Sequence, residues 1–354
     1  MSALSRFAFN TPPVEMVSWP SPRVMILKDL SIDIDRVFLC VKQTLEDLRV
    51  RVHEKVLFGM RTDFRLPKRD TQNERTHGYS IFGASDDVLN NVDSAAFIGA
   101  LLQDGRLCHL GPDGAVVWNQ REVYGWLSDI HKSWSDIYCL LHLLSLSGRG
   151  TEEALYQWGN SPEGRRHLFI VNEITAILSN YHKGHQITGL YKQILRLIPN
   201  ELGYILAILL RIIRPIEVAV VGLYFTPDTG KAKLKKLYAS RIFVTYGQPW
   251  SSEKMSLLLK SWWMRNVELP IGLNLHRQFS VALQRQFLSY RNNNPKRQAA
   301  QHAFAHGEQA DEMNYARKHG DPSMPLGRQQ LFEEVCRDWL KLFGFDDPSS
   351  YRPL

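Results

Sequence analysis

The sequence lacks the short motifs that mark the common nucleotide-driven and hydrolytic enzymes. Its 354 residues contain no G-x-x-x-x-G-K-S/T phosphate loop, no G-x-S-x-G nucleophile elbow and no H-E-x-x-H zinc helix. Each motif supplies a backbone turn or a metal geometry that its enzyme class needs. The absences therefore exclude a P-loop ATPase, an α/β-hydrolase and a zincin metalloprotease.

Cysteine is scarce, and the four cysteines lie far apart without a C-x-x-C pair, at Cys40, Cys108, Cys139 and Cys336. This spacing predicts neither a disulfide framework nor a zinc site. No secretory n-region or h-region precedes them, so a reducing compartment is expected. His182 and His185 are close in sequence, but no cysteine or carboxylate partner stands near them, and no metal site is predicted.

A long uninterrupted apolar run is also missing. The most apolar stretch extends from Tyr204 to Phe225, and the residues that interrupt it are Arg211, Arg214, Pro215 and Glu217. Charges in the middle of a bilayer span are costly. The stretch therefore predicts a buried helix and its successor, with no membrane partner.

The chain does have an excess of positive charge and enough apolar residues to form a buried core. Hydrophobic residues make up 44% of it, and the formal net charge is +7. A basic protein suits a polyanionic partner, because each neutralised phosphate releases counterions. Basic clusters are more often simply solvated surface, so charge alone does not identify the partner.

Hydrophobic periodicity predicts a mainly α-helical protein with a small β element. Residues 1–30 hold several prolines without periodicity and indicate an extended leader. After Asp33 a stripe of valines and leucines predicts a helix to about Leu57, and further helices are expected over Val92–Leu102 and Arg121–Leu146. A Gly-Pro-Asp-Gly turn separates the last two. Residues 31–146 thus form a helical N-terminal region.

Beyond residue 146 the pattern changes. The β-branched segment His167–Tyr181, with a polar Asn172-Glu173 break, predicts a hairpin, and Arg241–Tyr246 is a further strand candidate. Helices are expected over Glu201–Arg214, Ser252–Arg265, His276–Tyr290 and Leu331–Phe343. Within the second of these, Trp262 and Trp263 point about 100° apart, so only one is expected to pack fully.

A set of separate polar and cationic residues follows a fixed order along residues 147–354: Arg149, Glu152, Lys183, Arg277, His306 and Tyr315. Such a set suits attack on a phosphodiester, which places charge on the non-bridging oxygens and needs a proton for the departing oxygen. Arginine meets phosphate with a planar, always charged fork. A lysine or histidine can supply the proton.

The order resembles that of the tyrosine recombinase (phage-integrase-like) family, in which Arg-x-x-Glu, a hairpin lysine, His-x-x-Arg and a histidine nine residues before the nucleophilic tyrosine succeed one another. Within that family the chain is similar to the recombinase-like region of fungal telomere-linked RecQ-type helicase proteins and to Crypton mobile elements. The resemblance covers most of the chain after about residue 90. The segments that carry it are Gly148-Arg149-Gly-Thr-Glu152, Gly247-Gln-Pro-Trp250, Ala305-His306 to Tyr315-Ala-Arg317, and Trp339 to Phe345.

The resemblance implies a core-binding-like region over 31–146 and a catalytic domain over 147–354. It implies DNA cleavage and rejoining through a 3′-phosphotyrosyl intermediate at Tyr315, with Arg149 and Arg277 on the phosphate, Lys183 as acid and His306 assisting. Lys192 is an alternative to Lys183 as the acid. No cofactor or metal is implied. The implied setting is double-stranded DNA in the nucleus, bound by several copies in a synaptic tetramer.

One position departs from the family pattern: Asn274 stands where His-x-x-Arg has histidine, and His276 is displaced beside Arg277. Asparagine can donate a hydrogen bond but cannot act as an acid or base. A catalytically silent DNA-binding module that works with a helicase-type partner is therefore the second interpretation. A helical interaction protein with a basic surface is the third.

Basic residues outside the constellation are candidates for non-specific phosphate contacts, which position a protein on DNA without reading its sequence. They fall into one group before the strand candidate and another late in the third long helix and after it. These residues are Lys231, Lys233, Lys235, Lys236, Arg285 and Arg291.

Overall fold

The fold is that of a computed structural model, which describes residues 17–62, 65–68, 70–82, 94–179, 193–288, 295–296, 299 and 326–354. The strands are β1 Val17–Ser21, β2 Val24–Leu27, β3 Leu30–Asp33, β4 Cys108–Leu110, β5 Val116–Trp118, β6 Leu168–Val171, β7 Ile174–Ser179, β8 Ile194–Leu197, β9 Val244–Thr245 and β10 Gln248–Pro249. The helices are α1 Ile34–Arg51, α2 Ser94–Asp104, α3 Gln120–Leu144, α4 Gly150–Glu153, α5 Asn200–Ile208, α6 Arg214–Tyr224, α7 Lys231–Ser240, α8 Ser252–Val267, α9 Leu273–Phe287 and α10 Leu326–Leu342.

The described chain is mainly helical, with small antiparallel sheets between the helices, as the sequence predicts. β1, β2 and β3 form one three-stranded sheet, and β6, β7 and β8 form another. Two-stranded pairs join β4 to β5 and β9 to β10. Buried apolar residues from both sides of residue 146 belong to one continuous cluster.

Helix α1 forms as the stripe of apolar residues predicts. Asp33 caps its first turn, because the carboxylate accepts hydrogen bonds from the amides of Asp35 and Arg36 at 3.0 and 3.2 Å. The helix ends in one π-helical turn, Val52–Val56. Its buried face contacts α3 and α8, so α1 joins the two halves of the core.

Residues 17–30 differ from the expected extended leader. They form β1, β2 and the start of β3, and Met25, Leu27 and Ile32 are fully buried. The strands are only four or five residues long, too short for their periodicity to stand out from a proline-containing segment. The N-terminal part is therefore less purely helical than its sequence suggests.

The predicted hairpin is confirmed as β6 and β7. Its two-residue turn is Asn172-Glu173, and both residues have positive φ, 46° and 65°, as a tight turn between right-twisted strands needs. Helix α5 lies directly on β7 because Gly203 has no side chain. A Cβ at Gly203 would overlap the side chain of Thr175.

The apolar stretch from Tyr204 to Phe225 runs through α5, a π-helical turn at Leu209–Ile213, and α6. Pro215 lies at the start of α6, where its missing N–H interrupts the helical hydrogen-bond ladder. Within the described residues no helix is both long and apolar enough to cross a membrane. The predicted buried helix and successor are confirmed.

Asn200 ties three segments together and yields a stability prediction. Its side chain accepts from the amide and hydroxyl of Thr175 at 2.9 and 3.1 Å and donates to the carbonyls of Glu173 and Ser349 at 2.7 and 2.9 Å. We expect Asn200→Ala to lower the free energy of unfolding in urea by about 2–4 kcal/mol, because it leaves buried groups without partners.

The control is Asn266→Ala, since Asn266 is half-buried and makes a single side-chain bond, to the Trp262 carbonyl at 2.8 Å. Its loss should cost about 1 kcal/mol or less. Equal losses in the two variants would contradict the role given to Asn200.

Candidate functional site

Arg149 lies at the start of the short helix α4, directly after a strained turn. α3 ends at Leu144, and Leu146 and Ser147 then have φ of 60° and 20°, values that residues other than glycine rarely adopt. Arg149 has extended backbone, and its carbonyl accepts from the amides of Glu152 and Glu153, both at 2.9 Å. Its side chain is half-buried.

Glu152 is almost completely buried and forms an ion pair with Arg196 on β8. Arg196 Nη1 lies 2.8 Å from Glu152 Oε1 and 2.8 Å from the hydroxyl of Ser179. Glu152 also accepts from the backbone amide of Arg149 at 3.5 Å. It therefore links the start of α4 to the sheet β6–β7–β8.

The pKa of Glu152 reflects this pairing. Burial alone would raise it, but the charge of Arg196 and hydrogen bonds from Ser179 and the Arg149 amide lower it below its ordinary value. The carboxylate is thus held ionised inside the protein. A buried ion pair survives only when its remaining hydrogen bonds are satisfied. Here the hydroxyls of Ser179 and Tyr156 and the amide of Arg149 help to satisfy those of Glu152.

Arg196 was missed in the sequence, although a signal was present. It stands in the apolar run Ile194-Leu-Arg-Leu-Ile198, where a strand buried on both faces leaves no solvated position for a cation. A charged residue in such a run indicates a buried partner. Nothing in the sequence identifies Glu152 as that partner.

Arg277 lies on α9, near enough to Arg149 for the two charges to interact. Burial lowers the pKa of Arg277, and the guanidinium of Arg149 lowers it further; Glu152 and Glu153 act in the opposite direction. Arg196 contributes to the same environment. The positive charges of Arg149 and Arg277 lie on the same side of this environment, and such a pair suits an anionic ligand.

Asn274 and His276 occupy different faces of α9. Asn274 is exposed and one turn before Arg277, so the two share a face. His276 is buried against Trp263, Phe279 and His142, with ring centroids 5.8, 5.5 and 5.0 Å away. Burial lowers its pKa well below the ordinary value, and His142 adds to this. The displaced histidine is a neutral core residue and does not reach the face of Arg277.

Two longer helices begin beside Arg149. A Cβ on Gly150 would lie 2.6 Å from Cδ1 of Leu273 and 3.4 Å from Cβ of Ser252. These residues open α9 and α8, so the N-termini of both helices meet at Gly150. The dipoles of the two helices favour negative charge there.

The candidate phosphate contacts on α7 and α9 are on the surface. Lys233, Lys235, Lys236 and Arg285 are exposed. Lys231 is different, because its ammonium pairs with Asp228 at 2.6 Å and its charge is partly neutralised. Arg291 lies outside the described residues.

Other members of the predicted constellation also lie outside the described residues: Lys183, Lys192, His306 and Tyr315. Of the residues that the structure describes, Arg149, Glu152 and Arg277 come together, with Arg196 added. Among described residues, no group of three histidine, cysteine, aspartate or glutamate side chains is arranged to hold a metal ion.

Comparison with known proteins found no matching family model, no similar curated protein and no similar solved structure.

The buried pair predicts a large coupling between Arg196 and Glu152. Arg196→Gln should lower the free energy of unfolding by about 3–5 kcal/mol, because it leaves a carboxylate buried without its cation. Adding Glu152→Gln should recover part of this loss in urea denaturation. Because folding lowers the pKa of Glu152, the pair's stabilisation is present above the carboxyl's unfolded pKa, about 4.3, and is lost as pH falls through the folded value.

The exposed pair Arg36–Glu268, with a 2.7 Å contact, is the matched control, and its double-mutant cycle should give a much smaller coupling. Strict additivity of the Arg196 and Glu152 losses would contradict the pairing.

Proposed function

We propose that this chain cleaves and rejoins DNA strands through a phosphotyrosyl intermediate, as a tyrosine-type site-specific recombinase or integrase. The observation that carries the proposal is that Arg149 and Arg277, which are far apart in sequence, are near enough for their charges to interact. The N-termini of α8 and α9 meet at the same place. A phosphodiester is the anion that such a paired arginine site fits in a basic protein.

In the proposed reaction the hydroxyl oxygen of Tyr315 releases its proton to solvent and bonds to the scissile phosphorus, and the bond to the 5′ oxygen breaks. Arg149 and Arg277 hold the non-bridging oxygens, where negative charge develops. Lys183 gives its proton to the departing oxygen, and His306 assists at the phosphate. The phosphotyrosyl bond conserves the energy of the phosphodiester, so another 5′ hydroxyl reverses the step without nucleotide or metal.

The proposal extends to partners and place. Double-stranded DNA is the substrate, several copies assemble on it as a synaptic tetramer, and the protein acts in the nucleus as part of a mobile element or a helicase-linked gene product. The exposed cations of α7 and Arg285 supply sequence-independent contacts to the backbone.

A catalytically silent DNA-binding module is the second candidate, and Asn274 favours it. Its side chain is on the face of Arg277, while His276 points into the core. No histidine of α9 is therefore available at this face for proton transfer. An asparagine still donates to phosphate, so binding would persist where cleavage is slow.

A suicide substrate tests cleavage. The probe is a nicked duplex whose cut fragment diffuses away, and the readout is a denaturant-resistant protein–DNA adduct. We expect wild type to form the adduct and Tyr315→Phe to form none, because the phosphotyrosyl bond cannot form. Tyr124→Phe, at an exposed tyrosine, is the control. Asn274→His should raise the rate of adduct formation, by about 100-fold if it restores full acid–base assistance.

A wild type that forms no adduct but binds DNA in a salt-sensitive way would identify the silent module. No DNA binding at low salt would leave the helical interaction protein as the better interpretation.

The salt dependence of binding tests the α7 surface. Replacing Lys233, Lys235 and Lys236 by glutamine should reduce the slope of log affinity against log salt by about 3, since each lost phosphate contact removes about one. The control replaces three other exposed lysines, Lys28, Lys55 and Lys260, so the net charge changes equally. Equal effects of the two triple variants on the slope would show that total charge, not the α7 surface, governs binding.

A further inference from the structure

A buried chain of hydrogen bonds connects the strained turn before Arg149 to the helix that carries Arg277. The Ser147 hydroxyl donates to the His142 carbonyl at 2.9 Å and lies 3.2 Å from the hydroxyl of Ser280 on α9. Ser280 Oγ in turn lies 3.2 Å from His276 Nε2. All four residues are at most 1% exposed, so water does not compete for these bonds.

Proton counting fixes the direction of this chain. Ser147 uses its only proton on the His142 carbonyl, so it must accept from Ser280. Ser280 has then used its own proton and must accept from His276 Nε2–H. This leaves His276 Nδ1 as a bare acceptor, and it has no hydrogen-bond partner among the residues that the structure describes. The neutral form that burial imposes on His276 is the form that this chain requires.

A second contact holds the same turn from the other side. The carboxylate of Glu153 lies 2.8 and 2.9 Å from His142 Nδ1, and its Oε1 accepts from the Gly148 amide at 3.0 Å. A carboxylate only accepts, so His142 Nδ1 carries a proton. His142 therefore holds Ser147 through its carbonyl and Glu153 through its ring, and Glu153 holds the residue next to Arg149.

The backbone of this turn explains why such support is needed. The positive φ values of Leu146 and Ser147 cost free energy, and strain of this kind persists only where the surroundings over-determine it. The Ser147 hydroxyl and the Gly148 amide provide that constraint. The strained turn therefore sets the position of the Arg149 backbone after the end of α3.

We propose that Ser147, Ser280 and Glu153 are positioning residues that fix the separation of Arg149 from Arg277, so that both arginines grip one tetrahedral phosphate-type oxyanion. This inference rests on the proposed function, because it takes the arginine pair as the phosphate site. A change of about 1 Å in such a pair is enough to lose two-point binding. The serine bridge is a direct link between the turn before Arg149 and the helix that carries Arg277.

The test measures phosphate protection of individual arginines in the full chain. Phenylglyoxal modifies arginines, and mass spectrometry follows Arg149 and Arg277 separately as inorganic phosphate is added, with exposed Arg121 on α3 as an internal reference. The variants are Ser280→Ala, Ser147→Ala and the rescue Ser280→Thr, which keeps the hydroxyl. Ser133→Ala is the matched control, because Ser133 is equally buried and bonds only to the Asp129 carbonyl at 2.8 Å.

In wild type, phosphate should protect Arg149 and Arg277 with one shared midpoint and leave Arg121 unprotected. Ser280→Ala should raise that midpoint by about tenfold or more, and Ser280→Thr should restore it. Ser133→Ala should keep the wild-type midpoint, even if Ser133→Ala and Ser280→Ala melt at the same lower temperature. If Ser280→Ala does not fold, Ser147→Ala removes the same bridge and should raise the midpoint in the same way.

An unchanged midpoint in the folded bridge variants, with protection intact in wild type, overturns the positioning role and leaves the proposed function standing. Absence of protection at both arginines in wild type overturns the phosphate site itself, and with it the proposed function.

Discussion

The buried ion pair between Glu152 and Arg196 is the interaction on which the arrangement of the site depends. Both side chains are removed from water, so each needs the other and a full set of hydrogen bonds. The pair joins α4 to β8, and Ser179 brings in β7. Because Arg149 directly precedes α4, the same pair also fixes the backbone position from which the Arg149 side chain extends.

Several other charged side chains lie around this pair. Arg196 neutralises Glu152, and Nδ1 of His142 lies 2.8 Å from Oε2 of Glu153. Arg149 and Arg277 then add positive charge beside two helix N-termini. The half-buried arginines are raised in energy by each other, and the cause of the lowered pKa of Arg277 is burial together with the Arg149 charge. An anion that binds between them relieves that repulsion.

The sequence singled out some residues of this neighbourhood and missed others, and their role as a functional site stays a prediction. Arg149, Glu152 and Arg277 were identified from order and spacing, and they do come together. Arg196, Glu153 and His142 were missed, because each acts through a partner that is not its neighbour in sequence. Trp262 and Trp263 show the same limit: both are buried, although their directions differ, since α8 has neighbours on two sides. Trp262 donates to Thr44 of α1, and Trp263 packs on Phe279 of α9.

By itself the sequence determined the helices, the hairpin and the types of residue available for chemistry on phosphate, because hydrophobic period, caps and turn residues act over a few positions. Asn274 was also identified there, as the position at which the sequence departs from the family pattern that it was predicted to follow. Only the tertiary structure decided that His276 faces the core, that Ser280 meets Ser147, and that Arg277 lies beside Arg149. Those contacts follow from how α3, α8 and α9 pack, and packing depends on the shape of the whole core, which no single stretch of sequence specifies.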